Sequence, residues 1–371
     1  MRALLMILIL CGALRGQESS PDELLKSAID AQQRGDFQTA IRDYHRVLEL
    51  RPNMVEAQVN LGAALARVGQ FDEAIAMYKA ALPALAQKTP VIMNIALAYY
   101  KKGDFENARQ QLESLHQAQP GDVRFAILLA DTYTRLGKPA DAVSLLAPME
   151  QENSGNLDFE YGLGMAFIKN RQRREGVSRI EQVAQAANSA DAYMLAGATR
   201  LDLNEFEQAG RDLDAALGLN AKLPGLYTLI GTVRDKSGDL QGAAAAFREA
   251  LKGNADDFQA NLYLGTILLK QREMDEARIY LEHARKLQPA DPMMRYESAM
   301  LKSTSGQYEA ATAELEGLVK DAPDWLEPHV ELAALYYRLH RPADGARERQ
   351  VVEKLTAEQQ TKGPPTAAPP R

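Results

Sequence analysis

Five histidines stand in this chain: His45, His116, His283, His329 and His340. A helical zinc site needs two of them one turn apart, as in H-E-x-x-H, and no such pair occurs. His45, His116 and His283 fall where helical periodicity is strong and read as surface or packing residues. Acyl transfer at a nucleophile elbow would need G-x-S-x-G, and phosphate binding would need G-x-x-x-x-G-K-[ST] or G-x-G-x-x-G. None is present. Gly162-Leu163-Gly164 begins like a phosphate loop but lies mid-helix, where backbone N–H groups are already used. Cys11 is the only thiol and sits in a segment expected to be removed or modified. The mature chain would then have no disulfide, no thiolate metal ligand and no Cys nucleophile. Acids are abundant, but the periodicity below puts most of them on solvated helix faces. Arg171, Arg173, Arg174 and Arg179 form the one basic cluster and read as a solvated turn. The residues therefore point to no catalytic site, no metal and no cofactor.

The totals narrow the partners. A net charge of −7 argues against nucleic acid and against an anionic membrane surface, both of which need clustered Lys and Arg. With 46% hydrophobic and 25% charged residues, the composition is that of a folded, soluble chain. Arg2 precedes an apolar run from Ala3 to Leu14, followed by Arg15-Gly16-Gln17. This is the pattern of a secretory signal. The run is too short for a permanent anchor, which takes roughly 20 residues. Residues 1–16 are expected to be a signal peptide and 17–20 a short linker, leaving no integral membrane segment. The protein is expected to be exported, to the periplasm. Leu8-Ile9-Leu10-Cys11 gives the alternative of a lipoprotein anchored through Cys11.

What positions everything else is a period. Ala28, Gly62, Ala96, Ala130, Gly164, Gly197, Gly231, Gly265, Ala299 and Ala333 form one series. Ala40, Ala74, Ala108, Ala142, Gly176, Ala209, Ala243, Ala277, Ala311 and Gly345 form a second. Both step by 34 residues, except for one step of 33 between the fifth and sixth members. The second series trails the first by twelve positions, which puts the two small residues on successive antiparallel helices that can touch closely. Gly35, Gly69, Gly103, Gly137, Gly238 and Gly306 lie seven residues after the first series and end the first helix in a left-handed cap. Phe37, Phe71, Phe105, Phe206 and Tyr308 follow two residues later and plug the turn. Tyr44, Tyr78, Leu213, Phe247 and Leu281, four past the second series, pack inward. Pro52, Pro120, Pro289 and Pro323 close second helices.

Stretches such as Asn60-Leu61-Gly62, Gly69-Gln70-Phe71-Asp72-Glu73-Ala74, Tyr78 and Ala81-Leu82 resemble the tetratricopeptide repeat. So do Leu264-Gly265, Ala277, Leu281, Ala284 and Pro289. The resemblance covers about residues 21–355, with repeats near 21–54, 55–88, 89–122, 123–156, 157–189, 190–223, 224–257, 258–291, 292–325 and 326–355. It implies an all-α, right-handed superhelical solenoid of about ten antiparallel helix pairs, with a concave groove lined by the first helix of each pair. The fifth repeat is irregular, with Arg171 in place of Gly, Gly176 in the second helix and a loose loop at 151–156. In the tenth, Pro342, Gly345 and Arg349 suit a terminal cap. Residues 356–361 would end the last helix, and 362–371 would be a disordered, Pro-rich tail.

By the family's groove positions, the lining would be Met93, Leu97 and Tyr100; then Arg124, Ile127, Asp131 and Arg135; then Tyr161, Met165, Ile168 and Lys169. Met194 and Leu201, Leu262 and Leu269, Tyr296 and Met300, and Tyr337 and Arg338 would continue it. Met and Tyr there suit an adaptable peptide site. A carboxylate clamp, known in some members, is excluded: Asn60 and Asn94 stand at the middle position, but the flanking bases are missing. The resemblance implies a non-catalytic scaffold of the bacterial envelope that binds a protein or peptide partner, as an extended peptide or a helix, in the groove. The alternative is an accessory or regulatory subunit of an envelope enzyme or secretion complex, such as a glycosyltransferase, a protease or export machinery.

Overall fold

The computed structural model describes residues 20–362. The signal segment, Cys11 and the Pro-rich tail lie outside the described residues, apart from Lys362, which closes the last helix instead of opening the tail. Among the described residues the chain is all-α, with twenty α-helices, neighbours packed in pairs, and no strand. It divides into two compact units between Arg179 and Ile180.

The first unit holds α1 (Pro21–Gln33), α2 (Phe37–Leu50), α3 (Val55–Arg67), α4 (Phe71–Ala81), α5 (Thr89–Lys102), α6 (Phe105–Ala118), α7 (Val123–Arg135), α8 (Pro139–Leu146) and α9 (Leu157–Lys169). Helix α10 (Arg173–Ala187) carries the division. The second unit continues with α11 (Ala190–Asp202), α12 (Phe206–Leu219), α13 (Leu226–Lys236), α14 (Leu240–Gly253), α15 (Phe258–Lys270), α16 (Met274–Leu287), α17 (Pro292–Thr304), α18 (Tyr308–Asp321), α19 (Leu326–Arg338) and α20 (Pro342–Lys362). Short 3₁₀ turns, Leu82–Ala84 and Ala147–Met149, extend α4 and α8.

Each pair is closed by the same two devices. The residue seven past the first small position has a positive φ in all ten turns. It is Gly in six, but Arg171, Asn204, Arg272 and His340 hold the same left-handed conformation at φ 64, 60, 64 and 55°. The next N–H reaches back to the carbonyl five residues earlier, as from Asp104 to Tyr99 at 2.9 Å and from Glu273 to Leu268 at 3.0 Å. This satisfies carbonyls that the helix end would otherwise leave bare. Acidic and hydroxyl caps start many helices; Ser20 and Glu23 form a full capping box.

The second device is steric. A Cβ added to Gly231 would lie 2.6 Å from the Phe247 ring, one on Gly62 would lie 2.7 Å from the Tyr78 ring, and on Gly197 and Gly265 it would meet Leu213 and Leu281 at 2.7 Å. The bulky residue of the second helix therefore fills the space the small residue leaves. Tyr44, Phe247, Leu112 and Leu213 are essentially inaccessible to solvent as a result.

Two substitutions of opposite sign test this. Gly231→Leu must push aside a buried ring and should destabilise the second unit by about 3 kcal/mol in urea titration. Arg272→Gly relieves a left-handed arginine and should stabilise it by about 0.5–1 kcal/mol, the gain being limited by the greater freedom of Gly in the unfolded chain. A Gly231→Leu midpoint equal to that of the parent would contradict the packing described.

Candidate partner-binding face

The face built by the first helices was expected to carry the site. In the first unit, α7 packs directly on α9, and the Tyr100 hydroxyl on α5 donates to the Asp131 carboxylate on α7. Arg135 lies 3.6 Å from the same carboxylate. Tyr100, Asp131 and Arg135 thus mark the seam where neighbouring first helices meet. Burial, reinforced by Asp131, holds the Tyr100 phenol above its ordinary pKa.

Along this seam the expected residues divide. Met93, Leu97 and Met165 are half-buried, and Tyr161 is 39% exposed. Arg124 is exposed but held by Asp122 at 2.6 Å. Lys169 and Arg135 stand exposed at the ends of α9 and α7. Other positions serve packing instead. Ile127 reaches Gly162 on α9, where an added Cβ would meet it at 3.5 Å. Ile168 lies over Gly176, 2.6 Å from where a Cβ would be. The Tyr100 ring meets Phe105 edge-on at 5.4 Å.

In the second unit, Met194 is half-buried beside Leu213 and Ile230, and Met300 is half-buried on α17. Tyr296 packs on Trp325 with ring centroids 5.3 Å apart. Tyr337 is 37% exposed, covers Gly345 and is capped by the Arg349 guanidinium at 4.6 Å. Leu262 does not line a groove. It is 3% exposed and lies among Leu281, Ala284 and Met294. It belongs to a helix, α15, that is apolar nearly all round, with Leu264, Ile267 and Leu268 buried as well. Such a helix is enclosed on every side.

Profiles of the tetratricopeptide repeat match residues 25–89 and 228–292, and a second profile of the same repeat matches 99–152. The chain is a tetratricopeptide repeat protein. Relatives are distant. "Protein CTR9 homolog" of Arabidopsis thaliana is 23% identical over 70% of this chain. Anaphase-promoting complex subunit 3 of Schizosaccharomyces pombe is 21% identical over 78% of it. The chain spans 25% and 44% of those two proteins' lengths. Among solved structures, the Cut9 and Hcn1 hetero-tetramer of the anaphase-promoting complex contains a similar chain at 12% identity. It covers 91% of this chain and 88% of that one, with a TM-score of 0.51. That likeness speaks to the fold.

The second helices of this tetratricopeptide protein carry a different surface. Arg109 on α6 bridges Glu106 and Glu113, the latter at 2.6 Å, and Glu113 also accepts the Tyr133 hydroxyl of α7 at 2.8 Å. Helix α6 is thus tied to the following repeat through the Tyr133 hydroxyl, while Arg109 pairs charge within the helix. On the first helix α19, His329, 5% exposed, sits between Glu348 of α20 at 2.6 Å and the Pro323 carbonyl at 3.0 Å. Among the described residues no His, Cys, Asp and Glu group is placed to hold a metal, and no helix is long and apolar enough to cross a membrane.

Sequence reasoning passed over two kinds of residue on the first helices. Arg67 and Lys101 share the repeat position of Arg135 and Lys169 and are exposed; the 34-residue step alone could have found them. Glu297 on α17 gave no such signal. It is 7% exposed and turned toward Thr266 and Lys270 of α15. Burial pushes its carboxyl up to about 7 from 4.5, against the opposing pull of Lys270 and Thr266. The folded state therefore holds a proton that the unfolded chain releases. Stability from this group is greatest below about pH 4.5 and falls as pH rises to about 7. Glu297→Gln should remove that fall and stabilise the protein at pH 8 by up to about 3 kcal/mol. Denaturation midpoints of parent and variant at pH 4.5 and 8 measure it; parallel pH dependences would contradict it.

Proposed function

We propose that this tetratricopeptide protein is a non-catalytic scaffold of the bacterial envelope that holds an extended peptide or a helix of a protein partner on the face of its first helices. One contrast supports this reading. On α5, α7 and α9 the stacked first helices present part-exposed Met93, Leu97, Tyr161 and Met165 with cations at their ends, while second helices carry paired charge. Adaptable apolar area bordered by charge is what a peptide site needs. The export half of the reading rests on Arg2 and the apolar run from Ala3 to Leu14.

A photoreactive residue placed at Leu97 or Tyr161 should crosslink in cells to a partner chain, and one at the exposed Gln110 of α6 or Ser144 of α8 should not. Crosslinks from α6 and α8 alone would move the site to the other face. Separately, cell fractionation and N-terminal sequencing should find an exported chain beginning at Gln17. A cytosolic chain retaining Met1 to Gly16 would rule out the envelope reading.

A further inference from the structure

Four cations recur at one place in successive repeats of the first unit. Arg67, Lys101, Arg135 and Lys169 each lie five residues past the first small position and 34 residues from the next, at the exposed ends of α3, α5, α7 and α9. The Tyr100, Asp131 and Arg135 contact places this row along the seam of the first helices. Arg135 has a carboxylate at 3.6 Å.

A basic composition does not account for the row. The chain carries a net charge of −7, so the row is not a by-product of a basic composition. The helix dipole also favours cations at helix C-termini, as Lys79 in the last turn of α4 shows; what singles out this row is that its four members share one repeat position, 34 residues apart, on first helices. Of the acids on these helices, Asp131 lies beside the row, facing Arg135. Glu56 and Asp158 sit in the first turns of α3 and α9, about 16 Å from the row by helical rise.

We infer that the row binds an acidic, extended peptide segment of the partner, an inference that rests on the groove reading above. The spacing sets the ligand. Packed helices lie about 8–10 Å apart, so neighbouring cations match acids about three residues apart in an extended chain rising about 3.3 Å per residue. The intervening side chains would meet Met93, Leu97 and Met165. A nucleic acid fits less well, because a single file of cations in a chain of net charge −7 offers no second row for the backbone.

The probe is a fluorescent twelve-residue peptide with Glu at every third position and Leu and Ser between, titrated into the full chain by anisotropy at low and high salt. Its Lys counterpart, an oligothymidylate and phosphatidylserine vesicles serve as comparisons. The acidic peptide should bind best, and salt should weaken it. Combining Arg67→Gln, Lys101→Gln, Arg135→Gln and Lys169→Gln should cost about tenfold or more in affinity, with the melting profile retained. Removing as many cations elsewhere, through Arg34→Gln, Arg46→Gln, Lys88→Gln and Lys138→Gln, should leave affinity within about twofold. Equal losses from the two sets would overturn the inference. So would tighter, row-dependent binding of oligothymidylate or vesicles. If the Lys peptide binds instead and Met93→Ala with Met165→Ala weakens it, the groove reading stands and the acidic partner falls. If no peptide binds, both fall.

Discussion

The contact on which each repeat depends is one where no side chain fits. Two helices joined by a short turn can lie against each other closely only if one surrenders its Cβ, or nearly so, where the other presents a ring or a leucine. Gly231 under Phe247, Gly62 under Tyr78 and Gly265 under Leu281 are three instances, with clearances that would not admit a further carbon. Interiors are close-packed and yield little, so this approach fixes how the two helices cross. The left-handed residue at the turn fixes where the second helix starts. Together they make each repeat a rigid unit whose outward faces recur in step with the sequence.

That recurrence decides which first-helix residues are left over. Three before the small position and four after it, side chains tend to be taken up by neighbours: Ile127 by α9, Ile168 by Gly176, Leu262 by α16 and α17, Tyr296 by Trp325. Those five after it remain in solvent, as Arg67, Lys101, Arg135 and Lys169 do. The seam between first helices is polar where it closes. In the first unit a tyrosine hydroxyl meets Asp131; in the second Glu297 sits near Thr266 and Lys270. Burying a carboxylate without a matched cation is costly, and here the proton is retained near neutrality.

The irregular repeats show what replaces the standard devices. In the fifth, Arg171 takes the left-handed turn that Gly holds in six others. The preceding second helix, α8, is only 8 residues long. Arg179 compensates locally by lying over the Phe167 ring at 4.8 Å and reaching Glu150 at 2.6 Å. In the tenth, the last helix runs on for 21 residues. Arg349 and Arg341 lie over Tyr337 and Tyr336 at 4.6 and 4.4 Å, so guanidinium planes cover both rings.

The sequence by itself determined the helix pairing, because its causes are local and repeated: small residues twelve apart, a turn residue seven past the first, a bulky residue sixteen past it. It also sufficed for Tyr44, Tyr78, Leu213, Phe247 and Leu281 as core, since one helical period and one step of 34 place them. Only the tertiary structure decided the fate of the first-helix residues. A side chain three before the small position points toward the next repeat, and whether it is swallowed, as Leu262 is, or stays part-exposed, as Tyr161 does, depends on the size of residues on helices that sequence distance does not connect to it. The same holds for Glu297, His329 and the Tyr100 and Asp131 contact. Their partners lie 19 to 31 residues away, and burial between helices, not residue type, sets their chemistry.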